Sequence, residues 1–376
     1  MRIALVVPGF SAHPADWAIP ALQHLARTLA ADHDLHIFSQ RYPAAGTYRF
    51  DNFTHSALGG GQRFGLASAK IWWQTSRAII AQHRRTPFDL IHAFWADEAG
   101  FSAVIAGLKL GRPVIVSLGG GELVRLTSIP YGAQRFLARR FTTGYTLSRA
   151  TLVTAGSDYQ LDLGRAHGVP AAKLRLAPLG LDTGHFSPPP SPPPLDPPTL
   201  IQVGSLVAVK NQALLLKTVS QVKAKLPAVR LIVAGDGPLQ GQLRELAVQL
   251  KLSHNIDWLG QVSHPETRRF YQQAHLYLQT SWHESQGMAV LEAMACGLPV
   301  LGTPVGLVRE LAALPPTVTS QDLAAQIVQL LNDPTRYRLL RRHARHVAEA
   351  EFSLPVTAGN FCRLYEVVTS RLTGRV

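Results

Sequence analysis

Short apolar segments alternate with amphipathic helical segments along most of the chain, and this alternation limits the possible folds more than any other feature. Residues 3–7 (IALVV) have the continuous apolar pattern of a strand that is buried on both faces, and residues 229–234 (VRLIVA) repeat it in the second half. Strands that alternate with helices form parallel sheets with right-handed crossovers. The sequence therefore predicts an α/β protein built on parallel sheets.

The same pattern gives a coarse assignment of secondary structure in both halves of the chain. The strands predicted in the first half are residues 3–7, 35–38, 90–94, 113–118, 151–155 and 173–177, with helices at 19–30 and 100–110. The strands predicted in the second half are residues 200–203, 229–234, 256–259, 276–279 and 299–302, with helices at 211–225, 238–250, 267–274 and 287–296. The pattern thus predicts a Rossmann-like domain in each half.

A proline-rich segment lies between the two halves. Residues 187–199 read SPPPSPPPLDPPT, and eight of these 13 residues are proline, which excludes a helix or a central strand. We interpret the segment as a stiff spacer between an N-terminal domain, residues 1–186, and a second domain, residues 200–351. In two such domains that face one another, ligands are expected in the central cleft, at the carboxyl ends of the strands.

Composition excludes several classes of protein. A length of 376 residues suits two domains, 46% hydrophobic residues exclude wholesale disorder, and 16% charged residues exclude a long coiled coil. The net charge of +13 fits nucleic acid, anionic lipid or phosphate-bearing substrates as partners. Since no nucleic-acid-binding module is recognisable, we expect no nucleic-acid partner.

The sequence also predicts where the protein is found. The first apolar run stops at Pro8, which is too early for a secretory signal peptide, and no stretch of 18 apolar residues is present. Two cysteines cannot form a disulfide framework, and the fifteen histidines show no metal-ligand spacing on one helix face. We therefore expect a cytoplasmic protein without a required metal.

The segment 284–300 (ESQGMAVLEAMACGLPV) carries the most specific chemistry. Glu284 precedes a helix that Gly287 opens, and Glu292 lies one to two turns into that helix. A helix start attracts a diphosphate, and a carboxylate accepts two hydrogen bonds from a sugar diol. Acidic residues near a helix start are also favourable for the helix dipole alone, so either glutamate by itself has a structural alternative. The N–H groups at this helix start belong to Gln286, Gly287 and Met288.

The combination of the two glutamates, with seven residues between them, and the following AMACGLPV resembles the signature of family-four retaining glycosyltransferases of the GT-B fold. In that family the first glutamate contacts the donor sugar and the second the nucleotide ribose, which here are Glu284 and Glu292. The resemblance implies retaining transfer from a nucleoside-diphosphate sugar to a glycan, lipid or small-molecule acceptor, with neither cofactor nor metal. Residues 352–376 resemble the family's last helix, which packs back on the first domain.

Residues 203–210 (VGSLVAVK) resemble the loop that presents an arginine and a lysine to the diphosphate in this family. Lys210 occupies the lysine position, although a solvated surface lysine is an alternative. Ser205 occupies the arginine position, so that one neutral hydroxyl replaces a charged, bidentate group. The resemblance thus predicts Glu284 and Lys210 as the catalytic residues, with Glu284 as an anchor for sugar hydroxyls.

Two further segments resemble donor-binding parts of the family. Residues 234–239 (AGDGPL) are similar to its GDGP turn, and residues 259–266 (LGQVSHPE) to the segment that borders the nucleobase, although a plain turn or loop explains either one. The donor-binding residues predicted in total are Gly204, Ser205, Gly235, Gly237, Val262, Ser263, Gln286, Gly287, Met288 and Glu292.

The first half resembles the family less closely. Residues 88–100 and 113–123 look like acceptor-side segments, but Gly119 stands where the family usually has a histidine, so we expect no side-chain role there. Gly9 belongs to a first loop without the family's double glycine, and a plain turn is its alternative. Gly9, Gly119 and Gly120 are the residues predicted for an acceptor or phosphate loop.

Residues 123–157 combine five arginines with aromatic residues and contain no acidic residue. Such a segment suits contact with an anionic membrane at its inner face, and a solvated helix face is the alternative. The predicted partners are therefore a nucleotide-sugar donor, a carbohydrate or lipid-linked acceptor and, on the first interpretation, a membrane. A non-catalytic nucleotide-sugar-binding protein and a sugar-nucleotide epimerase remain as alternative functions.

Overall fold

A computed structural model describes residues 1–50, 52–61 and 66–370 of the chain. The chain forms two compact units. Unit 1 comprises Met1–Leu179 and the C-terminal segment that begins at Leu354, and unit 2 comprises Gly180–Ser353. The α/β class predicted from the alternating pattern is confirmed, since each unit is built on its own sheet.

Unit 1 contains a sheet with the strand order β3-β4-β2-β1-β5-β6-β7-β8. Its strands are β1 (Arg2–Gly9), β2 (Asp34–Tyr42), β3 (Gly46–Phe50), β4 (Phe53–Ala57), β5 (Leu90–Phe94), β6 (Val114–Leu118), β7 (Leu152–Ala155) and β8 (Leu174–Leu176). Its helices are α1 (Pro20–Leu29), α2 (Leu66–Arg85), α3 (Glu98–Leu110), α4 (Leu137–Arg149) and α5 (Asp158–Ala166), and, in unit 1 although last in the chain, α13 (Leu354–Ser370).

Strand β1 lies inside this sheet and is buried on both faces, as its apolar run predicts. It pairs in parallel with β2 and β5. Ile3, Leu5 and Val7 belong to a core cluster with residues of α1 and α13, whereas Ala4 and Val6 belong to a cluster with residues of α2 and α3. Because side chains alternate between the two faces of a strand, a strand with helices on both sides needs this unbroken apolar sequence.

Unit 2 contains a parallel sheet with the strand order β11-β10-β9-β12-β13. Its strands are β9 (Thr199–Val203), β10 (Arg230–Ala234), β11 (Ile256–Gly260), β12 (Leu276–Gln279) and β13 (Val300–Gly302). Its helices are α6 (Gln212–Lys223), α7 (Gln240–Gln249), α8 (Thr267–Tyr271), α9 (Met288–Ala295), α10 (Val308–Leu311), α11 (Ser320–Leu331) and α12 (Pro334–Phe352).

Several elements of unit 1 were not assigned from the sequence, among them one hairpin and one long helix. Strands β3 and β4 form an antiparallel hairpin at one edge of a sheet that is otherwise parallel, and neither strand was predicted. Helix α2 was not predicted either. The segment that contains them has glycines and scattered polar residues, so that no apolar run of the length seen in β1 marks it.

The boundary between the units also differs from the predicted one. The chain passes from unit 1 to unit 2 between Leu179 and Gly180, and residues 187–199 lie within unit 2. Prolines lack a donor, but the carbonyl groups of this segment still accept hydrogen bonds. Gln272 Nε2 donates to the Ser187 carbonyl (2.7 Å), and His275 Nε2 donates to that of Pro194 (2.9 Å). These bonds attach the proline-rich segment to the second unit.

Candidate active site

An ion pair lies at the carboxyl ends of two neighbouring strands of unit 2. Lys210 ends a short turn after β9, and Glu284 lies in the loop between β12 and α9. Because β9 and β12 pair in parallel, both loops leave the same edge of the sheet. Lys210 Nζ donates to Glu284 Oε1 over 2.6 Å, and the two side chains are 25% and 12% exposed. The two residues predicted as catalytic are thus in direct contact.

Two further side chains hold Glu284 in place. Its Oε1 atom also accepts hydrogen bonds from Gln279 Nε2 (2.6 Å) and from Ser281 Oγ (2.7 Å). The buried Tyr277 hydroxyl donates to Gln279 Oε1 (2.6 Å) and so orients that amide. Sequence reasoning missed Gln279 and Ser281, although their position directly after an apolar strand and before Glu284 was a usable signal.

A cavity of about 460 Å³ lies beside the Lys210–Glu284 pair. Lys210 lies next to the cavity wall at Gly204, because its Cε atom is 3.6 Å from the point where a Cβ on Gly204 would stand. At Gly237 the backbones approach closely, since a Cβ there would lie 2.6 Å from the carbonyl oxygen of Leu206. The cavity is lined by Val203, Gly204, Ser205, Ala234, Gly235, Asp236, Gly237, Gln261, Val262 and Thr267.

This cavity brings together part of the predicted donor-binding set. The members that line it are Gly204, Ser205, Gly235, Gly237 and Val262. The members outside its lining are Ser263, Gln286, Gly287, Met288 and Glu292. Glycine-rich turns after parallel strands therefore identified the cavity, whereas its polar lining residues Asp236, Gln261 and Thr267 carried no recognisable spacing.

Helix α9 begins next to Gly287, the residue predicted to open it. Gly287 has a φ of 94° and precedes α9, which begins at Met288. The carbonyl of Gln286 accepts a hydrogen bond from Leu307 N (2.9 Å), which fixes the loop before the helix. The sequence placed this helix correctly because glycine and proline mark its end.

Glu292, on α9, is 7% exposed and contacts two side chains of unit 2. Tyr271 OH donates to its Oε2 (2.9 Å), and His264 Nε2 lies 3.0 Å from its Oε1. Burial raises the pKa of Tyr271 well above its ordinary value, so this phenol remains a donor. Nearby, Ser263 Oγ donates to Glu266 Oε2 (2.5 Å). The Ser263 hydroxyl is therefore engaged within its own loop.

In unit 1, the predicted glycine loop binds a carboxylate of the same chain. Gly119 N donates to Glu122 Oε1 (2.8 Å), and Gly120 N donates to Glu122 Oε2 (2.7 Å). Glu122 is 2% exposed, and burial, assisted by the charge of Asp97, raises its pKa to about 7. These N–H groups thus already donate to a carboxyl group of the chain, which a phosphate would have to displace.

Trp95 explains why glycine stands at position 119. The backbone of Trp95 has a φ of 72°, an unusual value for a bulky residue, and its ring lies against the glycine loop. A Cβ on Gly119 would lie 2.9 Å from Trp95 Cε2. The indole therefore occupies the space that the histidine of the resembled family would need.

A second cavity, of about 750 Å³, lies entirely in unit 1 next to this loop. Arginine–carboxylate pairs form part of its wall: Arg139 contacts Asp97, and Arg139 Nη2 donates to Glu98 Oε1 (2.7 Å). Gly9 ends β1 beside Tyr42 and does not line it. The lining residues are Ser68, Trp72, Trp95, Asp97, Glu98, Gly121, Glu122, Pro130, Tyr131, Gly132, Ala133, Arg135, Phe136, Ala138 and Arg139.

Neither a metal-binding cluster nor a membrane-spanning helix is found in the part of the chain that the structure describes. In residues 1–50, 52–61 and 66–370, no group of three His, Cys, Asp or Glu side chains is arranged to hold a metal ion. None of the helices described above is long and apolar enough to cross a membrane.

Two family models match the chain. The model of glycosyl transferases group 1 matches residues 186–347, and that of the glycosyl transferase 4-like domain matches residues 18–180. The chain belongs to the group 1 glycosyltransferases. Membership of this glycosyltransferase family, which the glutamate spacing suggested, is therefore confirmed, and the retaining mechanism stays a prediction.

Among curated relatives, this group 1 glycosyltransferase is similar to a phosphatidylinositol N-acetylglucosaminyltransferase subunit from Arabidopsis thaliana. The two are 34% identical over 143 residues, which are 38% of this chain and 32% of the relative. D-inositol 3-phosphate glycosyltransferase of Pseudarthrobacter chlorophenolicus is 27% identical over 244 residues, 59% of this chain and 57% of that relative. The matched part thus spans about a third of the first relative and less than two thirds of the second.

The fold is shared with solved structures. The crystal structure of Anabaena Alr3699/HepE in complex with UDP and glucose matches 98% of this chain and 100% of that chain, with a TM-score of 0.73 and 17% identity. The GT-B fold predicted for this group 1 glycosyltransferase is therefore confirmed.

Proposed function

We propose that this chain transfers a sugar from a nucleoside-diphosphate sugar to a hydroxyl group of an acceptor, with retention of configuration and without a metal. The observation that carries the proposal is the contact of Lys210 with Glu284 beside the glycine-lined cavity of unit 2. An ammonium and a carboxylate in contact offer one group for a leaving diphosphate and one for sugar hydroxyls.

In this proposal, the cavity of about 460 Å³ receives the diphosphate of the donor. Its walls include the backbone of Gly204 and Gly235, so a diphosphate can approach the main chain beside Lys210 without a side chain intervening. Lys210 stabilises the negative charge that develops on the leaving diphosphate. The solved relative in complex with UDP and glucose supports a uridine nucleotide as the first donor to examine.

Glu284 serves as an anchor for the donor sugar and not as a nucleophile. Its Oε1 atom holds three donors, from Lys210, Gln279 and Ser281. A carboxylate whose charge is stabilised in this way attacks carbon poorly but accepts further hydrogen bonds readily. Glu292 holds the ribose hydroxyls, for which the remaining lone pairs of its carboxylate suffice beside Tyr271 and His264.

Retention then follows from attack on the face of the sugar that the diphosphate leaves. The bond between the anomeric carbon and the phosphate oxygen breaks, and the bond to the acceptor oxygen forms on the same face. The proton of the acceptor hydroxyl passes to the departing phosphate oxygen. The protein contributes position and charge stabilisation, which is consistent with a fixed Glu284 and an adjacent Lys210.

The cavity of about 750 Å³ in unit 1 holds the acceptor, which we propose to be a carbohydrate or a carbohydrate attached to a lipid. Trp72, Trp95 and Tyr131 offer flat apolar surfaces for the C–H faces of a sugar ring. Asp97 and Glu122 offer carboxylate oxygens for its hydroxyls. The names of both curated relatives include an inositol compound, which supports a polyol acceptor of this kind.

A lipid-linked acceptor would bring residues 123–157 to a membrane. Within this segment, three side chains at the start of helix α4 are exposed: Phe136 (58%), Leu137 (80%) and Phe141 (67%). Arg140 lies among them, whereas Arg139 is occupied by Asp97 and Glu98. Exposed apolar residues beside a basic residue suit the interface of an anionic bilayer.

The test of transfer is incubation of the purified chain with a panel of uridine and guanosine diphosphate sugars and oligosaccharide acceptors. Transfer predicts acceptor-dependent release of nucleoside diphosphate, a product with the donor's anomeric configuration and full activity in EDTA. Conversion of the donor sugar without acceptor would instead indicate an epimerase. Saturable binding without any turnover would indicate a non-catalytic nucleotide-sugar-binding protein.

The test of membrane contact is flotation with phosphatidylcholine vesicles that contain or lack phosphatidylglycerol. We expect flotation to depend on the anionic lipid and to be lost in Leu137→Gln/Phe141→Gln. The matched control is Val248→Gln, which alters an exposed apolar residue of unit 2. Equal flotation of all three proteins would contradict the proposal.

A further inference from the structure

A third cavity, of about 640 Å³, lies along helix α12 in unit 2, beside Pro188 and Gly297. It shares no lining residue with the glycine-lined cavity of the same unit. We call it the arginine groove, because four arginines contribute to its wall. Its lining residues are Pro188, Gly297, Thr335, Arg338, Arg341, Arg342, Arg345, His346 and Glu349.

Two of these arginines are held in fixed positions by main-chain carbonyl groups. Arg345 Nη1 donates to the carbonyls of Phe186 and Ala295, each over 2.7 Å. Arg341 Nε donates to the Gly297 carbonyl over 3.0 Å. Arg341, which is fixed at Nε, keeps its charge and presents its remaining N–H groups in a defined direction. The groove therefore has a preorganised positive wall.

The remaining basic side chains of the groove are exposed. Within the described residues, neither a hydrogen bond nor an ion pair is formed by the side chains of Arg338, Arg342 or His346. Arg338 and Arg342 are four residues apart on the same helix face, where like charges destabilise a helix. Glu349 carries the negative charge of the lining and pairs with Arg345 over 2.5 Å. A strong positive excess thus remains without a counter-charge.

We propose that the arginine groove binds a phosphate-bearing anion at a site separate from the donor cavity. Guanidinium groups match phosphate oxygens in bidentate geometry, and several of them along one helix can contact two phosphates or one phosphate from several sides. The volume of the groove is within the range of small-molecule sites. Bound anion would also relieve the repulsion between Arg338 and Arg342. The inference does not depend on sugar transfer.

Such a phosphate can belong to a free molecule or to a lipid headgroup, and two arms of one experiment distinguish these sources. The test variant is Arg338→Gln/Arg342→Gln, which removes two exposed charges from the groove. The matched control is Arg336→Gln/Lys217→Gln, which removes two exposed charges from unit 2 outside the groove. The first arm titrates each protein with inorganic pyrophosphate by calorimetry. The second measures flotation with phosphatidylcholine vesicles that contain or lack phosphatidylglycerol.

For a free phosphate compound, we expect wild type and control to show a pyrophosphate-binding event that weakens at least tenfold in the test variant. Pyrophosphate that also enters the donor cavity appears as a second event that both variants retain. For a lipid headgroup, we expect no such difference with pyrophosphate but a loss of flotation in the test variant alone. Equal behaviour of the test and control variants in both arms would overturn the proposal.

Discussion

Lys210 Nζ lies 2.6 Å from Glu284 Oε1, although 74 positions separate the two residues in the sequence. The parallel pairing of β9 with β12 brings them together, since it places both following loops at one sheet edge. Through Lys210, this pair adjoins the glycine-lined cavity. A charge-stabilising role of Lys210 and a sugar-holding role of Glu284 can therefore be separated by substitution at each end of one contact.

Replacement of Lys210 by alanine removes the ammonium proposed to stabilise the leaving diphosphate. We expect Lys210→Ala to lose on the order of 100-fold in turnover, or about 2.7 kcal/mol of transition-state stabilisation. Steady-state kinetics with the best donor of the panel measure this. Lys217→Ala, an exposed lysine on α6, is the control and should retain wild-type rates. A near-normal rate in Lys210→Ala would remove this residue from the mechanism.

Replacement of Glu284 by glutamine keeps the shape of the side chain but removes its negative charge. We expect Glu284→Gln to reduce transfer on the order of 100-fold, because a neutral amide holds sugar hydroxyls and Lys210 less firmly. Affinity for the nucleoside diphosphate alone should change by less than about threefold, since that ligand lacks the sugar. Calorimetric titration with the nucleoside diphosphate and with the intact nucleoside-diphosphate sugar measures the difference. An equal loss of affinity for both would contradict a sugar-specific role.

The sequence predicted the strands and the site where one local signal was sufficient. The apolar run of β1 and the glycine and proline that end α9 are signals of this kind. The spacing of Glu284 and Glu292 also identified the family. Their placement in one unit followed from the alternation of strands and helices alone, because parallel strands bring the loops at their carboxyl ends to one edge.

Partners that depend on tertiary packing could not be predicted in the same way. The hydrogen bonds from the N–H groups of Gly119 and Gly120 to Glu122 depend on a tight local turn, and no sequence motif predicts them. The contact of Tyr271 with Glu292 joins two helices and is visible only when both are folded. The hairpin β3–β4 lacked an apolar run, since it forms one edge of the sheet.

Gly237 offers a steric test of the glycine-lined cavity. A Cβ at this position would lie 2.6 Å from the carbonyl oxygen of Leu206, so Gly237→Ala must displace the backbone. We expect a loss of about 1–3 kcal/mol of stability and weaker nucleoside-diphosphate binding. Gly241→Ala is the matched control, because nothing lies within 4 Å of its Cβ and alanine favours a helix. Melting temperatures with and without nucleoside diphosphate measure both the stability and the affinity of each variant. Equal affinity in both variants would argue against a phosphate site here.

Glu122 gives unit 1 a defined pH dependence. Burial raises its pKa from 4.5 to about 7, so folding favours the protonated carboxyl. The stability that this preference contributes is complete below about pH 4.5, falls as the pH rises through 7 and amounts to at most about 3 kcal/mol. Glutamine does not titrate, so the melting temperature of wild type minus that of Glu122→Gln should decrease between pH 4.5 and 7 and then level off. Glu245→Gln, on the exposed side of α7, controls for the loss of one negative charge. A difference between wild type and Glu122→Gln that stays constant across this interval would mean that Glu122 is ionised throughout it and that its two N–H donors outweigh its burial.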